Sequence, residues 1–361
     1  MSSTENGIDL ALTDIRLAVI SELSDLTEHV SAVMVPPCRK APCALMPDWR
    51  LNLENMVALA DEEVDGIFTD RPVLSFPQGG PQLAIEREAA GVLQAVGRYR
   101  PNSVAVRLEV RTAECLTRLL LPVGKPEVMR WADYVARVFF ASRLLASGWR
   151  MLHASAVVLD GKAVLILADQ GGGKSTLAHR ACVELGADFL ADDLVLVSNE
   201  GMVVGWPTRA AVPAELLKNT SETSGVMLTG ERRERVVFTP AEHRFMLGMD
   251  HSPPVPLGAL VCLRPHSSAV DPVVHASVLA APSRESFVAK AADVPAQRLF
   301  VSDLVGLMGG LRSALGEESF EMEERLWEVP AVLLTVGDAV RLAHAPVWEV
   351  LAPLLPEFGR R

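Results

Sequence analysis

Residues 163 to 197 read AVLILADQGGGKSTLAHRACVELGADFLADDLVLV, and the order of residue types in this stretch decides the fold class. Val164 to Ala168 is a short apolar run of the kind that becomes a buried parallel strand. Gly171, Gly172 and Gly173 follow, then Lys174, Ser175 and Thr176. Glycines let the backbone turn tightly and aim successive N–H groups at one anion. A helix is expected from Ser175 to Leu185, with Leu177, Ala181, Cys182 and Leu185 on one face and Gly186 as its terminator. Its N-terminus adds the positive end of a helix dipole. Lys174 can reach β- and γ-phosphates, and Ser175 can ligate Mg²⁺ through its hydroxyl. GGGKST between an apolar strand and a helical pattern therefore reads as a phosphate-binding loop, with Ala168 where the first glycine usually stands.

Phe189 to Val197 reads as the next strand and carries Asp192 and Asp193. A parallel neighbour reached by a right-handed crossover brings these carboxylates beside the loop. Alternation along a strand points the two to opposite faces. One can then hold Mg²⁺ while the other accepts a substrate proton. The assignment favoured here puts Asp193 with Ser175 on the metal and Asp192 as the base; the sequence leaves the reverse open. Upstream, Leu152-His153-Ala154-Ser155 leads into a strand, Ala156 to Leu159, and the turn Asp160-Gly161. This is a hairpin feeding the loop strand.

His153, the strand, GGGKST, the short helix and ADFLADD together resemble the HPr kinase family, and more closely the HPr-kinase-like kinases of lasso-peptide and related peptide biosynthesis. The likeness is good from about residue 130 to 198, looser to about 342, and absent from residues 1 to 125. It implies an α/β fold, with a P-loop core of the HPr kinase/PEP carboxykinase type and a smaller N-terminal α/β domain. It implies ATP or GTP with Mg²⁺ as cofactors, and transfer of the γ-phosphoryl group to a Ser or Thr hydroxyl of a peptide or protein. His153 is then placed to orient the base or contact the phosphate. Arg209, in Gly205-Trp206-Pro207-Thr208-Arg209, becomes a candidate phosphate ligand, with an ordinary surface arginine as the equal alternative. Two other functions stay open: a kinase for a free small molecule such as an amino acid, and a nucleotide-binding regulator without turnover.

The chain has 361 residues, 49% of them hydrophobic, enough for two domains with sizeable cores. We divide it into an N-terminal α/β domain, residues 1–125, expected to recognise the acceptor, and a catalytic domain, residues 126–361. The formal charge of −11 and the 5% aromatic content exclude nucleic acid or an anionic membrane as the main partner. A homo-oligomer is compatible with the sequence. The five cysteines show no metal-binding spacing and read as free thiols of a cytoplasmic protein. No signal peptide or membrane-length apolar run is visible. Helices are expected near Ile15–Leu26, Glu86–Val96, Met129–Ala146, Phe300–Leu315 and Val347–Leu355. Strands are expected near Val104–Val110, Leu116–Val123, Val236–Phe238, Ala259–Leu263, Val273–Val278 and Val329–Val336, and Leu51–Ala60 suits either. Asn219 to Arg235 reads first as a solvated loop and second as a lid over the nucleotide.

Overall fold

The computed structural model describes residues 6–42, 46–75, 80–122, 124–217, 226–229, 234–248, 253–265, 274–296, 307–308, 328–337, 342 and 344–358. The chain forms two compact units: Met1–Gly148 with Ala296–Ser319, and Trp149–Pro295 with Phe320–Arg361. Both are mixed α/β.

The first unit is built on a mixed sheet of β1 (Asn6–Leu12), β2 (Ile15–Ser21), β3 (Arg39–Lys40), β4 (Trp49–Met56), β5 (Val73–Ser75), β6 (Gln82–Ala89), β7 (Val92–Arg98), β8 (Val106–Arg111) and β9 (Leu116–Pro122). Its order is β3-β1-β2-β4-β9-β8-β7-β6-β5. The neighbours β2, β4 and β9 run parallel. Helices α1 (Ser24–Met34), α2 (Asp61–Asp70) and α3 (Met129–Ala146) complete it, with α1 and α3 packed on each other and on β2.

Two stretches with helical spacing are strands instead. Ile15 to Leu26 is β2 up to Ser21, and the helix starts only at Ser24. β2 lies between β1 and β4 with most of its residues buried, so its apolar residues run on without alternating. Glu86 to Val96 is the β6–β7 hairpin, turning at Ala90 (φ 50°) and Gly91 (φ 77°). Two positive φ angles give the turn whose twist matches the flanking strands.

The division between the units also falls later than residue 125. Trp131, Phe139 and Phe140 of α3 are buried, and a Cβ at Gly97 of β7 would come within 2.5 Å of the Trp131 ring. Asp133 accepts from His29 Nε2 of α1 at 2.9 Å and from Arg137 at 2.6 Å. These contacts tie α3 to the first unit. Leu307 also returns to it, its carbonyl accepting from the Thr112 hydroxyl at 2.6 Å.

The second unit contains β10 (Arg150–Leu152), β11 (Ser155–Leu159), β12 (Lys162–Leu167), β13 (Asp188–Ala191), β14 (Val195–Val197), β15 (Met202–Gly205), β16 (Ala210–Pro213), β17 (Val226–Thr229), β18 (Glu234–Phe238), β19 (Val255–Pro265), β20 (His275–Val278) and β21 (Ala331–Val336). Its large sheet has the order β10-β14-β15-β19-β12-β11-β13, with β21 beside β19 and β20 beside β21. A small sheet has the order β16-β18-β17. The helices are α4 (Lys174–Leu185), α5 (Pro240–Leu247), α6 (Ala281–Ala296) and α7 (Val347–Leu351). One core lies between the large sheet, α4 and the C-terminal segment; the other includes residues of α6. Strand β17 and the start of β18 fall inside Asn219–Arg235, so that segment holds part of a hairpin; the rest lies outside the described residues, as does Phe300–Leu315 apart from Leu307 and Met308. Among the described residues no helix is long and apolar enough to cross a membrane.

Helix α5, which follows the small sheet, is joined to α4 through a buried histidine pair, His179 Nδ1 and His243 Nε2, 3.4 Å apart, with the Phe189 ring edge-on to His243. Burial pushes His179 down to about 4 and His243 to about 3. Both are therefore neutral in the fold, and stability is complete above the ordinary imidazole range. It is lost as pH falls from about 6.5 toward these lowered values. His243→Phe fills the same site without a titrating group, so we expect its melting temperature to fall less than wild type between pH 7 and 4.5. An equal fall in both proteins rejects the pair as a source of acid sensitivity.

Candidate functional site

The site is assembled from β11, β12, α4 and the segments after β13 and β15, all in the second unit. Ser155 to Leu159 and Lys162 to Leu167 form the hairpin read from the sequence, turning at Asp160 (φ 48°) and Gly161 (φ 76°). β12 is almost wholly buried and ends at the glycine loop. Gly171 (φ 75°) and Gly173 (φ 98°) occupy the left-handed region. A Cβ on Gly173 would also lie 2.4 Å from Leu342 Cδ2. Helix α4 starts at Lys174 and ends on Gly186, whose φ of 62° and N–H bonded to Ala181 O make the expected stop.

Lys174 is buried, and its ammonium donates to Ala168 O at 3.0 Å and Asp169 O at 3.2 Å. The cation is thus folded over the loop whose amides surround an anion in sites of this type. Ala168 in place of glycine leaves this geometry intact.

The aspartate segment differs from the expectation. Asp192 and Asp193 do not lie in one continuous strand. β13 stops at Ala191 and β14 begins at Val195, and Asp193 between them has φ 72°. β13 is also not the neighbour of β12. β11 lies between them, antiparallel to both, so β12 and β13 are parallel but one strand apart.

Asp192 is buried, with Oδ1 accepting from the Ser155 hydroxyl at 2.7 Å and Oδ2 from the Ala211 N–H at 3.2 Å. The Ser175 side chain lies near this carboxylate and favours its charged form. The Thr208 hydroxyl donates to the Asp192 carbonyl. Burial raises the Asp192 carboxyl above its usual range, hydrogen bonds from Ser155 and Ser175 oppose that, and the neighbouring Asp193 charge reinforces it. Asp193 is 35% exposed and its Oδ1 lies 3.1 Å from Nε2 of buried His153. The backbone at His153 is fixed by its amide N–H, which donates to Ala291 O of α6 at 2.7 Å.

Asp192, not Asp193, is therefore the carboxylate on Ser175. His153, Lys174, Ser175, Asp192 and Asp193 are all linked to this one region, while Thr176 is buried at the start of α4. Arg209 is exposed, between Thr208 and Ala211, the two residues that bond to Asp192. Sequence reading did not single out Ser155, Thr208 or the Ala211 amide. Only Ser155 had a signal, since alternation along β11 puts it on the face of Val157 and Leu159 that packs against α4.

A hydroxyl and a carboxylate lying near each other beside the glycine loop fit Mg²⁺, which takes one or two protein oxygens and completes its shell with other ligands and water. Among the described residues no group of three or more His, Cys, Asp or Glu side chains is arranged to hold a metal, so the donor set does not suit an all-protein metal centre.

No family model and no curated protein matches the chain. Among solved structures it is similar to the HPr(Ser) kinase/phosphatase from Coxiella burnetii, with 16% identity over 36% of this chain and 72% of that one, at a TM-score of 0.21. At that score the likeness carries no weight for the site.

The raised Asp192 carboxyl has a measurable consequence. Its stabilising contribution is fully present below the ordinary value of 3.8 and is lost as pH rises through the folded value. Asparagine carries no charge, can accept the Ala211 N–H and can donate to the Ser155 oxygen. Without divalent cation, Asp192→Asn should melt above wild type at pH 7.5. The gain should shrink toward about pH 4. A variant that melts lower than wild type at pH 7.5 contradicts this account of Asp192.

Proposed function

We propose that the chain is a kinase that transfers the γ-phosphoryl group of ATP or GTP to a Ser or Thr hydroxyl of a peptide or protein. The observation that carries this reading is the convergence of Ser175 and Asp192 behind the glycine loop, with the separate His153–Asp193 pair attached through the same short segment.

The loop amides and Lys174 bind the β- and γ-phosphates, Lys174 exchanging its bonds to Ala168 O and Asp169 O for phosphate oxygens. Ser175 and Asp192 would hold Mg²⁺, which would supply positive charge to the phosphate oxygens. Asp192 is poorly suited as the base, because it is buried and each of its oxygens accepts a hydrogen bond, from Ser155 and from the Ala211 N–H. Asp193 is the better acceptor, being partly exposed and oriented by His153. The acceptor hydroxyl gives its proton to the Asp193 carboxylate and its oxygen bonds to the γ-phosphorus. The bond from that phosphorus to the β,γ-bridging oxygen breaks, and the diphosphate leaves with the electron pair. This assignment reverses the one favoured from the sequence.

The first unit is the proposed acceptor-recognition body. It has its own core, and a cavity of about 390 Å³ opens beside the N-termini of α1 and α3. Leu26, Leu121, Val128 and Met129 are its apolar lining, and Glu22, Asp25 and Lys125 its charged lining. That volume lies within the range of small-ligand pockets and is ample for an apolar side chain of a peptide.

With Mg²⁺–ATP and a phosphorylatable peptide, Lys174→Ala should abolish transfer. Asp193→Asn should lower kcat about 100-fold or more with little change in nucleotide KM, whereas Asp192→Asn should raise the Mg²⁺ requirement. A mass-spectrometric screen of peptides and free amino acids supplies the acceptor. Labelling of free serine with no peptide labelled replaces the peptide reading by a small-molecule one, and wild-type-like transfer by Lys174→Ala rejects the site.

A further inference from the structure

Consecutive residues of α6 touch two sides of the site. Ala291 holds His153 through its carbonyl. Lys290 reaches the glycine loop itself, its Nζ 2.6 Å from Asp169 Oδ1. Asp169 is the residue whose carbonyl accepts from the Lys174 ammonium at 3.2 Å. Lys290 therefore approaches the loop from its exposed side and shares Asp169 with the buried lysine.

Both side chains of the Lys290–Asp169 pair are largely in water, 66% and 56% exposed. An exposed pair of this kind holds weakly. A nucleotide phosphate in the loop offers more negative charge than one carboxylate, and a flexible lysine can turn toward it with little rearrangement. Phosphoryl transfer also calls for more positive charge than one loop lysine supplies. Resting on the kinase reading above, we infer that Lys290 is a phosphate-contacting residue of the nucleotide site, held by Asp169 in the ligand-free chain and handed to a nucleotide phosphate on binding.

The test is Mg²⁺–ATP affinity of the full chain by calorimetry, with melting temperature measured in parallel. Lys290→Met should weaken binding about tenfold, Lys290→Arg should stay within about threefold of wild type, and neither should change the ligand-free melting temperature. Asp169→Asn removes the competing anion and should tighten binding, with most of that gain lost in the Asp169→Asn/Lys290→Met double variant. A plain structural anchor would lower the melting temperature of both single variants alike and leave affinity unchanged, which overturns the inference. Wild-type binding that depends on Lys174 but not on Lys290 also overturns it, while leaving the kinase reading in place. If wild type and Lys174→Ala both fail to bind nucleotide, the kinase reading and the inference fall together.

Discussion

A buried carboxylate must have its charge answered by hydrogen bonds or lose it. Asp192 meets that constraint by drawing separate pieces of chain to one point. Ser155 comes from the start of β11, Ser175 from the first turn of α4, and Thr208 and Ala211 from either side of Arg209. None of these segments is held there by sequence proximity. β15 can lie close to β13 only because Gly205 has no side chain, as a Cβ there would meet Leu190 O at 2.1 Å. The polar cluster and the tight strand packing support each other: truncation of the residue-192 side chain leaves the Ala211 N–H unmatched, and a side chain at residue 205 separates the strands.

The glycine loop depends on a second set of contacts. Arg180, buried two turns into α4, donates through Nε and Nη2 to Glu184 at 2.7 and 2.8 Å. Its Nη1 donates to Leu342 O and to Ala345 O. This uses the fork of the guanidinium in a way an ammonium cannot copy. The C-terminal segment so held brings Leu342 against Gly173, and Trp348 closes the group by donating to Glu184. Gly173 is thus required twice, by its positive φ and by the leucine beside its Cα. A loop braced on both sides presents its amides with little freedom left to lose on meeting an anion.

Much of the site was legible because its signals are local. An apolar run, three glycines, Lys-Ser-Thr and a terminating Gly186 act over a few residues, and β12, the loop and α4 follow them. The failures were non-local. Helical spacing at Ile15–Leu26 and Glu86–Val96 gave way to cross-strand pairing, which periodicity within one segment does not encode. The position of the boundary was set by Trp131 packing over Gly97, a contact between residues 34 positions apart. Asp192 and Asp193 were recognisable as a chemical pair, but their roles depended on backbone conformation. A left-handed aspartate is uncommon enough that nothing in ADDL announces it.

That left-handed residue explains how adjacent carboxylates come to differ. In a continuous strand their side chains would address opposite faces. With φ 72° at Asp193, both address one short segment: Asp192 bonds to Ser155, and Asp193 to His153 two residues earlier. Their surroundings then separate them. The first is enclosed and its oxygens accept hydrogen bonds, while the second keeps contact with solvent and with the His153 imidazole. A positive φ at a non-glycine residue costs on the order of 1 kcal/mol, and such strain persists where the surrounding structure fixes it. Here the fixing comes from β13 and β14 on either side, and the result is two carboxylates one residue apart with unlike environments. On the kinase reading proposed above, that difference would separate the roles, because a carboxylate committed to a metal would not be free to take the hydroxyl proton.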